Sequence, residues 1–140
     1  MIVVDTSVWS RAFRRASQTP PRDPSSAAAV LEELIHQHLP VALPGIVLQE
    51  LLSGVRSERQ FNQLRADLAL FPVLLADEDD HVRAAQIMNS CRQSGLSVAS
   101  IDALIAATTI GAGAELLTCD TDFQHIATCT TLQVRLLPAQ

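Results

Sequence analysis

Five acidic residues lie at the edges of apolar segments in this sequence, where ionised side chains are least expected. They are Asp5, Glu50, Asp102, Asp120 and Asp122. An ionised carboxylate in apolar surroundings is costly unless an opposite charge compensates it. We therefore expect the fold to bring these five carboxylates together around divalent metal ions.

The residue types in this set favour a hard cation. Two carboxylates about 4 Å apart repel by about 4 kcal/mol at an effective dielectric constant of roughly 20. A cluster of them would cost much of the roughly 5–15 kcal/mol that typically stabilises a domain. Oxygen ligands, with no histidine or cysteine at ligand spacing, are typical of Mg²⁺ or Mn²⁺ sites. Such ions suit the attack of water on a phosphodiester.

The segment around Asp102 is the most informative of the five. Its neighbours Ile101, Leu104 and Ile105 are apolar, and alanines fill most of the remaining positions. A helix that is apolar on almost every side is expected to be buried. Ser100 is expected to cap this helix, which would place Asp102 in the first turn, near the positive end of the helix dipole.

Each acid also has a purely structural explanation. Asp5 suits the cap of the helix that follows it, and Glu50 suits a solvent-facing position on an amphipathic helix. Asp102 suits the first turn of its helix for the dipole alone. Asp120 and Asp122 suit an ordinary Asx turn. The metal hypothesis therefore depends on the five acids as a set.

Short apolar runs alternate with helical patterns along the chain, which predicts an α/β fold with a parallel sheet covered by helices. The predicted strands are residues 2–4, 41–43, 72–76, 115–118 and 132–136. Sites in such sheets form beyond the carboxyl ends of the strands. Asp5 and Asp120 follow two of these strands, and we infer that Asp102 and Glu50 lie in helices on the same side.

Local signals predict where the helices begin and end. The predicted helices cover residues 7–13, 24–39, 46–53, 56–70, 78–94, 100–110 and 123–127. Asp23 and Pro24 are expected to open the second helix, Ile35 to face the core, and Pro40 to end it. The acids at 77–80 suit the start of a helix, where we expect solvated capping rather than a metal site. The proline-rich residues 16–24 are expected to form a loop.

Composition limits the remaining possibilities. The chain has 140 residues, the size of one domain, and a formal net charge of -5, which argues against a general nucleic-acid coat protein. All ten basic residues are arginine, which excludes a P-loop lysine or a Schiff base. No apolar run is long enough to cross a membrane, and the N-terminus is unlike a signal peptide, so we expect a cytoplasmic protein. The odd number of cysteines disfavours zinc or disulfides, and Cys119 is expected to be a small core residue.

Four segments, in this order and spacing, resemble the motifs of the PIN-domain ribonucleases, specifically the VapC-type toxins of bacterial toxin-antitoxin modules. The segments are residues 2–7, 49–54, 101–106 and 117–123. Each is weakly specific alone, but the four together span nearly the whole chain. The resemblance implies one PIN-like domain over residues 1–140, with three α/β/α layers around a central parallel sheet.

The resemblance also implies roles for the five acids, all of which become candidate catalytic residues. Asp5, Asp102 and Asp120 would be ligands of Mg²⁺ or Mn²⁺, and Glu50 would be a ligand acting partly through water. Asp122 would be a variable fifth acid. Thr6 and Ser7 would orient Asp5 or the substrate. An RNA substrate, a homodimer and a small antitoxin that blocks the site are further implications.

Three functions remain open from the sequence. The leading one is a metal-dependent endoribonuclease that acts as the toxin of a toxin-antitoxin pair. The non-enzymatic alternative is a PIN-fold module that only binds RNA or protein. A phosphatase with Asp5 as nucleophile is the third, but such sites usually carry a second aspartate at the position of Ser7 and a lysine, which this chain lacks.

Overall fold

A computed structural model describes residues 1–15 and 23–138, with the side chains of Arg14 and Arg15 left out. Most of the loop predicted at residues 16–24 therefore lies outside the described residues. The elements are β1 (Ile2–Val4), α1 (Thr6–Arg15), α2 (Ala27–His36), β2 (Val41–Pro44), α3 (Gly45–Leu52), α4 (Glu58–Leu68), β3 (Val73–Leu74), α5 (Glu78–Gln93), α6 (Ser100–Gly111), β4 (Glu115–Thr118), α7 (Asp122–Ala127) and β5 (Gln133–Leu136).

The five strands form one parallel sheet in the order β3-β2-β1-β4-β5, which confirms the predicted α/β class. The central strand β1 pairs with β2 on one side and with β4 on the other, where Val4 lies opposite Leu117. The chain adds strands in one direction from β1 to β3 and then crosses to the other side of β1. This reversal lies between the carboxyl ends of β1 and β4, which is the position at which α/β folds form a ligand-binding crevice.

Helices cover the sheet and bury its central strands. Val3 and Val4 of β1 and Leu116 and Leu117 of β4 have no exposed surface, as expected for parallel strands covered on both faces. On the described helices, α1 packs against α2 and α3, and α5 packs against α6. Trp9 anchors α1 because its indole N–H donates to the carbonyl of Val4 at 3.0 Å. These contacts fix α1 and α3 beside the carboxyl edge of β1.

The second helix starts and ends differently from the prediction. Ser26, not Asp23, caps α2, and its hydroxyl accepts from the N–H of Ala29. The side chain of Asp23 instead turns onto the N–H and hydroxyl of Ser25. The helix ends at His36, before Pro40, because His38 takes a left-handed conformation with φ of 58°. Ile35, predicted to face the core, is 39% exposed.

The third strand and the fourth helix are shorter than predicted. Only Val73 and Leu74 pair with β2, because β2 ends at Pro44 and offers no partner beyond it. The predicted strand residues Pro72, Leu75 and Ala76 therefore lie outside β3. The helix predicted at 56–70 covers Glu58–Leu68, because the Ser57 hydroxyl caps it by accepting from the N–H of Gln60.

Solvated capping at the start of α5 is confirmed for Asp77, Glu78 and Asp79, which are exposed, but is wrong for Asp80. Asp77 caps the helix, and Asp80 returns a hydrogen bond to the Asp77 N–H at 3.1 Å. Asp80 is only 9% exposed, because it packs between Arg83 and Gly111 on the neighbouring helix α6. None of the described helices is long and apolar enough to cross a membrane.

Candidate functional site

Asp5 lies at the junction of β1 and α1, beyond the end of the central strand. Its backbone N–H donates to the Leu117 carbonyl on β4 at 3.0 Å, and its side chain is only 4% exposed. Oδ2 accepts from the hydroxyls of Ser7 (2.7 Å) and Thr118 (2.8 Å), and more weakly from the Ser7 N–H (3.4 Å). Oδ1 accepts no hydrogen bond from the described residues. A buried acceptor is thus left for a ligand.

The hydroxyls of Ser7 and Thr118 connect Asp5 to the loop that follows β4. Each hydroxyl donates to Asp5 and accepts a backbone N–H from that loop. Ser7 accepts from Cys119 at 2.9 Å, and Thr118 accepts from Asp120 at 3.0 Å. The two hydroxyls therefore set the spacing between the carboxylates of Asp5 and Asp120.

Three further acids meet beside this network. Asp102, Asp120 and Asp122 each place a carboxylate oxygen within 4.8 Å of the others. Asp102 lies in the first turn of α6, and Asp122 is the first residue of α7. The N–H of Asp122 donates to Oδ1 of Asp120 at 2.9 Å. The Asx turn considered as the structural alternative is therefore present, and it also holds two of the acids together.

The position of Asp102 in the first turn was predicted correctly, but the cap was not. Ala99, rather than Ser100, is the N-cap residue, because it is extended while Ser100 is already helical. Ala99 offers no side-chain hydrogen bond to the first turn. The positive end of the α6 dipole therefore faces Asp102 without a competing cap.

Glu50 reaches the site from α3. It lies in the last turn of that helix and is exposed, as its structural explanation required. The hydroxyl of Thr6, one residue after Asp5, donates to Oε1 of Glu50 at 2.9 Å. This contact links the start of α1 to the end of α3 and orients Glu50 beside Asp5.

The electrostatics of Asp102 reflect the other four acids. The pKa of Asp102 is raised from 3.8 to about 6, most by burial and next by the negative charge of Asp120. The charges of Asp5, Asp122 and Glu50 act in the same direction. The negative charges of all four other carboxylates therefore contribute to the raised pKa of Asp102. The role of the five as metal ligands stays a prediction.

The acids fit a hard divalent cation. Across residues 1–13 and 23–138, no arginine, histidine or terminal ammonium forms an ion pair with any of them. The five acids offer only carboxylate oxygens as ligands, and among the described residues none donates a hydrogen bond to Oδ1 of Asp5, a residue that is buried. Uncompensated carboxylates with free oxygens are the donor set that Mg²⁺ and Mn²⁺ prefer.

Sequence reasoning identified the acids but missed the role of Thr118. Ser7 was expected to orient Asp5 and does so, whereas Thr118 was assigned only to a strand. The available signal was its position at the end of β4, next to the strand that carries Asp5. Cys119 is 6% exposed, which confirms it as a small core residue. Arg11 lies beside its thiol and donates to the Ser7 carbonyl at 3.1 Å.

Comparison with known proteins identifies the family. The family model described as PIN domain matches residues 2–128. The chain belongs to the PIN-domain family. Ribonuclease VapC11 of Mycobacterium tuberculosis is 34% identical over 136 residues, covering 95% of this PIN domain chain and 96% of the relative. Ribonuclease VapC19 of the same species is 34% identical over 112 residues, which cover 80% of this chain and 87% of the relative.

Solved structures share the fold of this PIN-domain protein. The crystal structure of FitAcB from Neisseria gonorrhoeae superposes with a TM-score of 0.73 at 27% identity, covering 96% of each chain. VapBC2 from Rickettsia felis, bound to a DNA fragment from its promoter, gives a TM-score of 0.76 at 20% identity and covers 97% and 98%. Because VapBC2 is only 20% identical to this chain, its superposition shows a shared fold and nothing more.

Proposed function

We propose that this PIN-domain protein is a metal-dependent endoribonuclease that acts as the toxin of a toxin-antitoxin pair. The single observation that carries the proposal is the convergence of five carboxylates, with no cationic partner among the described residues, at the edge between β1 and β4. Two relatives of similar length that are named VapC ribonucleases support RNA as the substrate.

Mg²⁺ or Mn²⁺ would bind the acids that have free oxygens. Asp5, Asp102 and Asp120 would hold the ion, and Glu50 would contribute through water. Asp122 would support the charge of the site from the start of α7. A divalent ion held there would supply activation of water and stabilisation of the leaving oxygen of a phosphodiester.

The chain's own residues prepare the site before substrate binds. Ser7 and Thr118 hold Oδ2 of Asp5, so that Oδ1 stays free for the ion. The hydroxyl of Thr6 holds Glu50 by donating to its Oε1. The carboxylates of Asp5, Glu50 and Asp120 each accept a hydrogen bond. Because these three acids are already held in place, little reorganisation is needed when the ion and the RNA phosphate bind.

The remaining parts of the proposal follow from the relatives. Besides the structures named VapBC2 and FitAcB, another structural neighbour is titled a toxin-antitoxin complex from Klebsiella pneumoniae. We propose that this chain likewise binds a small antitoxin that blocks the acidic crevice, and that it forms a homodimer. One domain over residues 1–140 and a cytoplasmic location complete the proposal.

No observation favours the two alternative functions. A phosphatase of this kind would usually carry a second aspartate at the position of Ser7 and a lysine, and the chain has neither. A module that only binds RNA or protein would not need five acids without cationic partners, since each adds repulsion that binding alone does not require.

Cleavage of structured RNA by the purified chain tests the proposal. We expect cuts within the RNA in the presence of Mg²⁺ or Mn²⁺, and none with a chelator. Asp102→Asn should abolish cleavage while keeping the fold. Asp79→Asn, an exposed acid on α5, is the matched control and should cleave normally. A metal-stabilised protein that cuts no RNA would instead support the binding module.

A further inference from the structure

Two neighbouring arginines, Arg56 and Arg59, carry charges that the described part of the fold does not use. Other arginines are held by hydrogen bonds to the protein, namely Arg11, Arg83 and Arg92. Arg56 and Arg59 are both exposed, and neither forms a hydrogen bond or an ion pair with any described residue. We call them the arginine pair. Their guanidinium groups are available to an anion from outside the described chain.

The arginine pair lies at the turn between α3 and α4, and this turn begins beside the acidic crevice. Glu50, in the last turn of α3, accepts from the hydroxyl of Thr6 at 2.9 Å. The chain then folds back on α3, because the N–H groups of Ser53 and Val55 donate to carbonyls of that helix at 2.9 Å and 3.3 Å. The arginine pair follows directly. It therefore flanks the crevice on the side of α3.

The helix α4 leads away from the crevice. Its 11 residues span about 16 Å. Asp67, in its last turn, lines an apolar cavity together with Phe13, which lies about two turns of α1 beyond Thr6. Arg65 also belongs to this last turn, and it is exposed without a partner among the described residues. Arg65 therefore provides an internal comparison, since it carries the same charge at the far end of the same helix.

The two ends of α4 differ in how well they accommodate a cation. The N-terminus of a helix carries a positive partial charge and the C-terminus a negative one. Arg65 therefore complements the helix dipole, whereas Arg56 precedes the cap residue Ser57, and Arg59 lies in the first turn. Glu58 suits that turn, but it pairs with neither arginine. Two cations at the unfavourable end, with no acidic partner in the described chain, indicate binding of an anion rather than support of the fold.

An RNA backbone is the anion that fits this position. The chain has a net charge of -5, and the five acids of the crevice repel a polyanion. Cations beside the crevice offset this repulsion and guide the strand towards it. Guanidinium groups bind phosphate oxygens in a planar, bidentate arrangement. Exposed arginines on a surface turn suit an extended strand that passes over the protein.

We propose that Arg56 and Arg59 bind backbone phosphates of the RNA substrate on the α3 side of the acidic crevice. This inference rests on the proposed ribonuclease function and names the residues that hold its substrate. The contacts are made to phosphates rather than to bases, so they contribute affinity without sequence preference. They also make the affinity depend on salt, because binding releases the counterions of the phosphates.

Fluorescence anisotropy with a fluorescein-labelled single-stranded RNA, in the presence of a chelator, tests binding separately from cleavage. The double variant Arg56→Gln/Arg59→Gln should bind about tenfold more weakly than the wild type at low salt. Its plot of log affinity against log salt concentration should be shallower by about 1.4, since each phosphate contact to a single strand contributes about 0.7. Arg59→Gln alone should lose about threefold. The matched control Arg65→Gln should bind as the wild type does.

Cleavage kinetics in Mn²⁺ and thermal unfolding distinguish substrate binding from a structural role. The double glutamine variant should raise KM by about tenfold and leave kcat close to the wild-type value. Arg56→Lys/Arg59→Lys should retain the salt dependence, because the charges remain. The melting temperature of the glutamine variants should not fall, because cations are removed from the positive end of α4.

The possible results separate this inference from the proposed function. Unchanged RNA binding in the double glutamine variant would overturn the inference, and so would equal losses in Arg59→Gln and Arg65→Gln, which would mean that only net charge matters. A lower kcat with an unchanged KM would also count against it. If the wild type cuts no RNA in Mn²⁺ but its binding still depends on the arginine pair, the inference stands and the proposed ribonuclease function fails.

Discussion

Thr118 donates a hydrogen bond of 2.8 Å to Oδ2 of Asp5, and the same hydroxyl accepts the backbone N–H of Asp120 at 3.0 Å. One buried hydroxyl thus joins an acid that follows β1 to an acid that follows β4. The contact spans 113 residues of sequence. It explains how two short strand ends hold like charges in one fixed arrangement.

Replacement of this hydroxyl should weaken both the fold and metal binding. Thr118→Val has a similar shape but leaves a buried carboxylate oxygen and a backbone N–H short of a partner, which costs about 1–3 kcal/mol of unfolding free energy. Urea unfolding and manganese titration would measure the two effects. Thr118→Ser is the control and should keep most of both. Equal metal affinity in the valine variant would show that the hydroxyl does not position Asp5.

Much of the site was predictable because carboxyl ends of parallel strands share one edge. Asp5 and Asp120 were placed together from the strand pattern alone. The role of the Thr118 hydroxyl was not predicted, because it depends on β1 and β4 being neighbours in the sheet. Local periodicity indicates which residues form strands, but it does not give the order of the strands. The sequence pattern gives element types, whereas pairing is decided by tertiary packing.

The errors at element ends have local physical causes. Ser100 was a better cap than Ala99 by residue type, but the chain becomes helical one residue earlier. Asp80 was placed in solvent because four acids in a row are usually exposed. Its burial depends on Gly111, which leaves room for it on a helix far along the sequence. Neither feature could be read from neighbouring residues.

The pH dependence of the metal-free protein should report on Asp102. Its pKa rises from 3.8 in the unfolded chain to about 6 in the fold, so the folded state binds the proton more tightly. The contribution of Asp102 to stability therefore falls as pH rises from about 4 to about 6, and the full penalty is present above that range. Asp102→Asn should remove this contribution.

Chemical unfolding in the presence of a chelator, at several pH values, would measure the contribution of Asp102 to stability. The difference in unfolding free energy between Asp102→Asn and the wild type should grow in favour of the variant from acid to neutral pH. Adding Mn²⁺ at neutral pH should reverse the order, because only the wild type retains the carboxylate. A difference that does not change with pH would contradict the raised pKa.

Thr6 should affect catalysis more than folding. Its hydroxyl orients the exposed Glu50, and a neutral-to-charged hydrogen bond of this kind is worth about 1–2 kcal/mol. Thr6→Val should therefore lower the RNA cleavage rate by about fivefold to thirtyfold, with a small change in melting temperature. Thr6→Ser should cleave at close to the wild-type rate. An unchanged rate in the valine variant would remove Thr6 from the site.

Gly111 should respond to alanine in the opposite sense to most helical glycines. Gly→Ala within a helix usually stabilises by about 0.5–1 kcal/mol. Here the added Cβ would lie 2.6 Å from Oδ1 of Asp80 and 3.0 Å from Nη1 of Arg83. Because Asp80 is buried and held by Asp77 and Arg83, Gly111→Ala should lower the unfolding free energy.

A double-mutant cycle separates the stabilising effect of alanine within a helix from the destabilising contact with Asp80. In an Asp80→Ala background the contact with Oδ1 is gone and Arg83 is released from its ion pair with Asp80, so the same Gly111→Ala change should become neutral or stabilising. Chemical denaturation of the four proteins would show the change of sign. Destabilisation of equal size in both backgrounds would mean that the close approach to Asp80 is not the cause.

The central claim is that five like charges share one crevice because a divalent cation binds between them. Thermal unfolding with and without millimolar Mn²⁺ tests it most directly, using wild type, Asp5→Asn, Asp102→Asn and the control Asp79→Asn. The account predicts a rise in melting temperature for the wild type and the control, and a much smaller rise for the two site variants. An equal response in all four proteins, or no response in the wild type, would contradict it.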